Sequence, residues 1–202
     1  MSEFKKILVT GGAGCIGMPV CNELLNRGIK VVLFDLYEQI HRVKNSINKN
    51  VEIFYGSILD DSSLREAIRG CDGIIHLAAY LGVRRTEINS LRCLDINING
   101  TKKVLDAATH SGIKKIIFAS SSEVYGEPVH LPQHEESTPL NSRLPYAVVK
   151  NVGESYCKSF KKTYNLDYTI FRFFNTYGNT QSEDFVISKF IQCALKNEDI
   201  KI

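Results

Sequence analysis

No apolar run in these 202 residues is long enough to cross a bilayer, so nothing points to a membrane-spanning protein. A dominant charge is missing too. The 25 Lys and Arg residues against 22 Asp and Glu leave a net charge of +3, weak grounds for a nucleic-acid partner. The densest basic stretch, Lys158 with Lys161 and Lys162, reads as a solvated helix face. Cys-x-x-Cys does not occur. The six cysteines (15, 21, 71, 93, 157 and 193) are scattered, which argues against a zinc site or a disulfide framework. Scattered thiols fit a reducing, cytoplasmic setting. Met1–Lys6 passes straight into a strand without a targeting signal. His130 and His134 have helical metal-ligand spacing, but Pro128, Pro132 and Pro139 surround them, so the pair reads as part of a loop and no metal is expected. Internal repeats and low-complexity segments are absent as well.

What is present is an alternation. Short apolar runs occur at Ile7–Val9, Val31–Phe34, Val51–Tyr55, Gly73–Ala78, Ile116–Ala119 and Tyr168–Phe174. They are continuous, as parallel strands buried on both faces require. Helical patterns lie between them at about 15–28, 61–69, 86–110 and 145–164, with a last helix over Glu183–Asn197. Asp60–Ser63 supplies helix-start residues, and Gly28, Gly70 and Gly112 fall where C-terminal caps belong. The fold class is therefore α/β, a doubly wound parallel sheet with helices on both faces. Glu127–Leu144 is a long loop, and loops of that length in compact domains tend to be functional. Glu198–Ile202 resembles the start of another strand.

Thr10-Gly-Gly-Ala-Gly-Cys-Ile-Gly17 follows the first strand and opens a helix. Glycines here permit a tight turn, let backbone N–H groups approach a pyrophosphate, and let helix and strand pack closely. Asp35 ends the next strand near the interval at which a carboxylate meets the adenosine ribose hydroxyls. Such a carboxylate repels a 2′-phosphate, so NAD is favoured over NADP, although His41 and Arg42 nearby keep NADP open. Downstream, Tyr146 and Lys150 stand one helical turn apart on a shared face. A phenol with a reference pKa near ~10 is a poor base at neutral pH, and a neighbouring ammonium lowers that value. Alone the spacing could be chance; a nicotinamide within reach gives it a purpose.

Together these motifs resemble the extended short-chain dehydrogenase/reductase family, and within it the nucleotide-sugar epimerases and dehydratases. His76–Ala79 resembles the family's strand-four segment, Asn97–Thr101 its Asn-x-x-Gly-Thr helix, Ser120–Gly126 its catalytic serine segment, and Arg172–Gly178 its substrate-phosphate strand and loop. The resemblance implies a Rossmann-type domain over 1–180 and the start of a truncated substrate-binding lobe over 181–202. It implies NAD contacts at Gly11, Gly14, Cys15, Ile16, Gly17, Asp35, Ser57, Ile58, Leu77, Ala78, Ala79, Tyr146 and Lys150. By the same resemblance, Ser121 holds the sugar 4-hydroxyl, Tyr146 removes its proton, and Lys150 lowers the Tyr146 pKa and binds the nicotinamide ribose. Ser122 joins Ser121 at the substrate, Asn175 contacts its diphosphate, and Asn97 fixes helix geometry.

Two positions depart from the family pattern. Ser57 replaces the Asp that usually meets the adenine amino group, which implies weaker adenine recognition. Ser122 stands where the dTDP-glucose dehydratases place an acidic Asp. Glu123, beside it, is a candidate base for a C5 proton of a 4-keto sugar, or simply a solvated loop residue. The resemblance thus implies transient oxidation at C4 of a nucleotide-diphosphate sugar, with 4-epimerase ahead of dehydratase or decarboxylase. It also implies a homodimer through the helices near 86–110 and 145–164. A non-catalytic NAD-binding or scaffold role is the competing class.

Overall fold

Every expected apolar run forms a strand. The computed structural model describes residues 4–82, 86, 88–182 and 185–200. In it, β1 (Lys6–Thr10), β2 (Lys30–Asp35), β3 (Glu52–Tyr55), β4 (Gly73–His76), β5 (Lys115–Ser121) and β6 (Asp167–Phe173) build a parallel sheet in the order β3-β2-β1-β4-β5-β6. The connecting helices are α1 (Gly17–Asn26), α2 (Tyr37–Val43), α3 (Asp61–Ala67), α4 (Ser90–Leu94), α5 (Gly100–His110), α6 (Pro145–Tyr164) and α7 (Val186–Lys196). A π-helical turn, Asp95–Asn99, joins α4 to α5. The start of the last helix at Glu183, residue 87 of the expected 86–110 helix, and residues 201–202 lie outside the described residues, while Glu198–Ile200, expected to begin a strand, forms none.

Alternation along each strand feeds two cores. Leu8, Val32 and Phe34 point to one side of the sheet, where Leu64, Leu105, Cys157 and Phe160 of α3, α5 and α6 meet them. Ile7, Val9, Val31 and Leu33 point to the other, against Met18, Cys21, Ile40 and Val43 of α1 and α2. Each such side chain removed from water contributes roughly 1.5–3 kcal/mol, so the central strands anchor the domain. The edges differ from the expectation of burial on both faces. Glu52 and Tyr55 of β3 are exposed, and so is Phe171 of β6, because an edge strand lacks a neighbour on one side. Helix α7 has no buried residue among those described, and Val186, Ile191 and Leu195 all face solvent.

Local signals explain the element ends. The Asp60 carboxylate accepts the backbone N–H groups of Ser62 and Ser63, capping α3. Pro145 opens α6, where its missing N–H costs nothing, and Asn165 closes it in the left-handed region at φ 57°. Because the strand order reverses between β1 and β4, the loops leaving their C-terminal ends diverge and leave a crevice between them.

Candidate active site

The loop after β1 is held so tightly that two of its glycines admit no side chain. Gly11 has φ +70°, and a Cβ there would stand 2.6 Å from the Ala78 nitrogen. A Cβ at Gly17 would stand 2.3 Å from the Gly11 carbonyl oxygen, so the first residue of α1 sits directly on the turn. The helix begins at Gly17, two residues later than its expected start, leaving Gly14, Cys15 and Ile16 in the turn. Asp35 closes the arrangement from the end of β2. Its carboxylate accepts the N–H of Ala13 at 3.1 Å and that of Leu36 at 2.8 Å. Burial raises the Asp35 pKa, opposed by those two N–H groups and by Arg42.

Around this loop the other expected cofactor residues take distinct positions. Leu77, Ala78 and Ala79 leave the end of β4 half-buried, with Leu77 N–H bonded to the Thr10 carbonyl at 3.0 Å. Ser57 is half-buried, and its hydroxyl accepts the Leu59 N–H at 3.2 Å. The Ile58 side chain is spent in the core against Gly100, where a Cβ would come within 2.4 Å of it. Across the crevice, Gly178 approaches the Cys15 thiol, and Arg42 donates to the Thr180 carbonyl at 3.5 Å, so the segment after β6 folds back toward the loop.

The second cluster lies at the end of β5. Ser121 is buried, and its hydroxyl accepts the Glu123 N–H at 3.2 Å, starting the short turn Ser122–Tyr125. Tyr146 and Lys150 come from the first turns of α6. The Lys150 ammonium, 5% exposed, donates to the Ala119 carbonyl at 2.7 Å. It stands 5.6 Å from the centre of the Tyr146 ring and 5.2 Å from that of Phe118. Ser122 is half-buried, while Glu123 and Asn175 are exposed.

The electrostatics correct one expectation. Tyr146 is not lowered: burial of the ring, followed by Cys93 and Glu123, pushes its pKa up to about 12. Lys150 instead yields, with burial bringing it down to about 8. Taking the phenolate and the ammonium out of water disfavours both charged forms, and at this separation desolvation wins.

A model of the NAD-dependent epimerase/dehydratase family matches residues 7–202. The chain belongs to that family. The chain is 37% identical to the UDP-N-acetyl-alpha-D-glucosaminuronate decarboxylase of Bacillus cytotoxicus over 98% of its length. It superposes with a TM-score of 0.89 and 34% identity, over its full length, on the UDP-N-acetylglucosamine 4-epimerase of Methanobrevibacter ruminantium M1 in complex with UDP-N-acetylmuramic acid. The UDP-glucuronic acid 4-epimerase of Bacillus cereus, in complex with UDP-glucuronic acid and NAD, gives 0.87 and 30% over 98% of the chain. The chain spans 64% of the decarboxylase and 66% and 65% of the two epimerase structures.

Within this family member, Asn97, His76 and Arg172 belong to expected motifs but make contacts those motifs did not show, while Cys93 and Glu154 were not singled out. Asn97, inside the π-helical turn, clasps Tyr80 by accepting its N–H at 2.8 Å and donating to its carbonyl at 2.9 Å. Cys93 is fully buried and lies near enough to Tyr146 and Lys150 to influence both. His76, also fully buried, bridges the hydroxyls of Thr10 at 2.7 Å and Thr101 at 3.2 Å. Arg172 opens the segment expected at substrate phosphate, yet its guanidinium is committed inside the protein. It donates to both Glu154 carboxylate oxygens at 2.9 and 2.8 Å, to the Tyr125 hydroxyl at 3.0 Å and to the Glu135 carbonyl at 2.8 Å. The available signal for Glu154 was its place four residues beyond Lys150, on the same helix face.

Proposed function

We propose that this chain is the NAD-binding and catalytic part of a nucleotide-sugar epimerase, acting by transient oxidation at sugar C4. The carrying observation is that Ser121, Tyr146 and Lys150 gather at the same C-terminal sheet edge as the glycine turn and Asp35. A turn too tight for side chains at Gly11 and Gly17, with a carboxylate beside it, suits a pyrophosphate and a ribose diol. Gly14, Cys15, Ile16 and Gly17 would hold the pyrophosphate, Asp35 the ribose hydroxyls, and Ser57 with Leu77–Ala79 the remaining walls. When bound, NAD supplies the hydride acceptor.

The protein's own groups manage the proton. An alcohol gives up hydride only as its O–H proton leaves, so a base must reach that hydroxyl. Ser121 orients the hydroxyl and Tyr146 exchanges its proton. A phenol held near 12 is neutral at physiological pH, so the Lys150 ammonium, 5.6 Å from the ring centre, would have to tip it toward phenolate once substrate is bound. Asn175 and Ser122 would meet the substrate, with a nucleotide diphosphate as its constant part.

Glu123 supports a second reading, because this exposed carboxylate acts on Tyr146 and could take a C5 proton from a 4-keto sugar. Removing the C5 proton leads to loss of the C6 hydroxyl as water, whereas a 4-keto uronic acid loses carbon dioxide by breaking its C5–C6 bond and then needs an acid to protonate C5. Incubation with UDP-, dTDP- and GDP-sugars, read by mass and by product NMR, separates these outcomes. An isomer of unchanged mass supports the epimerase, and loss of water or carbon dioxide overturns it. Binding of NAD without conversion of any sugar would instead mark a non-catalytic member. Absence of NAD binding by calorimetry would sink the cofactor assignment.

Two copies would pair through α4, the residues before it and α6, where Ile88, Leu91 and Val148 are 69%, 82% and 37% exposed. Leu91→Glu is expected to turn a dimer into a monomer in sedimentation analysis. All six cysteines are unpaired, which fits the cytoplasm.

A further inference from the structure

Helix α6 is fastened to the end of β5 at two successive turns. Lys150 donates to the Ala119 carbonyl at 2.7 Å, and one turn on Glu154 accepts the Ser120 hydroxyl at 2.6 Å. Glu154 is 1% exposed, and a carboxylate that deep persists as an anion only if its charge is matched. Arg172 matches it with a two-point grip, from the residue of β6 that lies in register with Ser120. The same guanidinium stacks over the Tyr125 ring at 5.0 Å and bonds its hydroxyl. It also takes the Glu135 carbonyl, tying down the long loop that leads into α6. Five structural pieces therefore meet at one ion pair: the ends of β5 and β6, the serine turn, the long loop and α6.

We infer that Glu154 and Arg172 are positioning residues, whose paired side chains lock α6 against β5 and β6 and so set where Tyr146 and Lys150 stand relative to Ser121. The inference rests on the reading of Tyr146 and Lys150 as the reacting pair. It also removes Arg172 from the candidate phosphate ligands, since four of its five N–H donors are committed within the lock. The lock acts through geometry: a helix free to shift or rotate by a fraction of a turn would admit water around Lys150. Groups that face this ammonium are Cys93 from α4, His76 from β4 and Tyr146 on α6 itself, and none of them belongs to the lock.

The test is an NMR titration of the Lys150 ε-carbon, assigned with Lys150→Arg, in wild type, Glu154→Gln and Arg172→Lys. Wild type is expected to titrate near 8. Both variants should titrate higher, toward the ordinary lysine range, as water reaches the ammonium. Charge alone predicts otherwise. Deleting an anion in Glu154→Gln would lower the lysine midpoint, and the charge-conserving Arg172→Lys would leave it in place. A lowered or unchanged midpoint, accompanied only by a fall in Tm, overturns the inference. Should Glu154→Gln fail to fold, Arg172→Lys decides the matter, because it keeps the charge and loses only the fork. Turnover gives a second reading: kcat should fall about tenfold or more while KM changes by less than about threefold. Calorimetric titration of wild type with NAD judges the cofactor reading separately, since the lysine titration needs no ligand.

Discussion

Lys150 is held in the protein at a cost. A lysine brought from its ordinary 10.5 down to about 8 sacrifices on the order of 3 kcal/mol at neutral pH. Because this pKa is depressed, the penalty is full below pH 8 and fades as pH rises toward 10.5. Lys150→Met is therefore expected to gain about 1–3 kcal/mol in chemical denaturation while losing NAD affinity, the trade expected of a strained functional residue. A more stable variant that still binds NAD with wild-type affinity would show that the ammonium serves another purpose. His76 carries a related signature. Burial, and then Lys150, bring it from 6.5 to about 3, so the folded protein keeps it neutral where the unfolded chain takes up a proton. Its contribution is complete above pH 6.5 and lost as pH falls toward 3, on the order of 4–5 kcal/mol over that window. His76→Gln should flatten this part of the stability–pH curve. The sequence showed which side chains gather here, but not their protonation. Spacing placed Tyr146 beside Lys150, whereas the direction of each shift depends on burial, to which β4, β5 and α4, distant in sequence, contribute.

Elements were legible where a local signal marked them. Helix α6 spans the residues expected because Pro145 and Asn165 punctuate it, and α3 starts where Asp60 caps it. Helix α2 was missed: seven residues beginning after Leu36 offer no polar cap and too few turns for a periodic stripe. The π-helical turn at Asp95–Asn99 was equally invisible, since the Asn97 side chain it presents is held by Tyr80, seventeen residues away in sequence. Asn97→Ala leaves the Tyr80 N–H and carbonyl without those partners and is expected to cost about 1–3 kcal/mol. Hydrogen exchange should show the loss concentrated at Tyr80 and in α4. At the start of α1, Gly17→Ala would drive a methyl into the Gly11 carbonyl and push the helix off the turn. The expected result is a loss of about 1–3 kcal/mol with NAD affinity reduced at least tenfold. A variant as stable and as tight-binding as wild type would refute the close-packed turn.

At the level of the whole molecule, stability toward acid has a second contributor. Although burial opposes it, hydrogen bonds from Arg172 and Ser120 hold the Glu154 carboxyl below the usual carboxylate range. Its stabilisation is present above the unfolded value near ~4.3 and is lost as pH falls through the folded one. Glu154→Ala, which strands Arg172, should cost about 3–5 kcal/mol at neutral pH, and that deficit should shrink on acidification below pH ~4. Equal denaturant midpoints for variant and wild type at pH 7 would contradict the buried pair. The alternation of strands and helices announced the sheet, but edge exposure did not follow from the apolar runs alone, because β3 and β6 read much like their central neighbours.

The strand order also has a consequence for how the chain is made. β1, which leaves the ribosome before the other five strands of this sheet, occupies its middle, with β2 and then β4 on its flanks. The β1–β3 half, together with the glycine turn and Asp35, is complete within Lys6–Tyr55. Ser121, Tyr146 and Lys150 follow β4 in the chain, and pairing β4 with β1 closes a loop of more than sixty residues. Synthesis thus lays down the nucleotide cradle before the reacting groups exist. Until β4 docks, the inner edge of β1 is an unpaired template that a neighbouring chain could occupy.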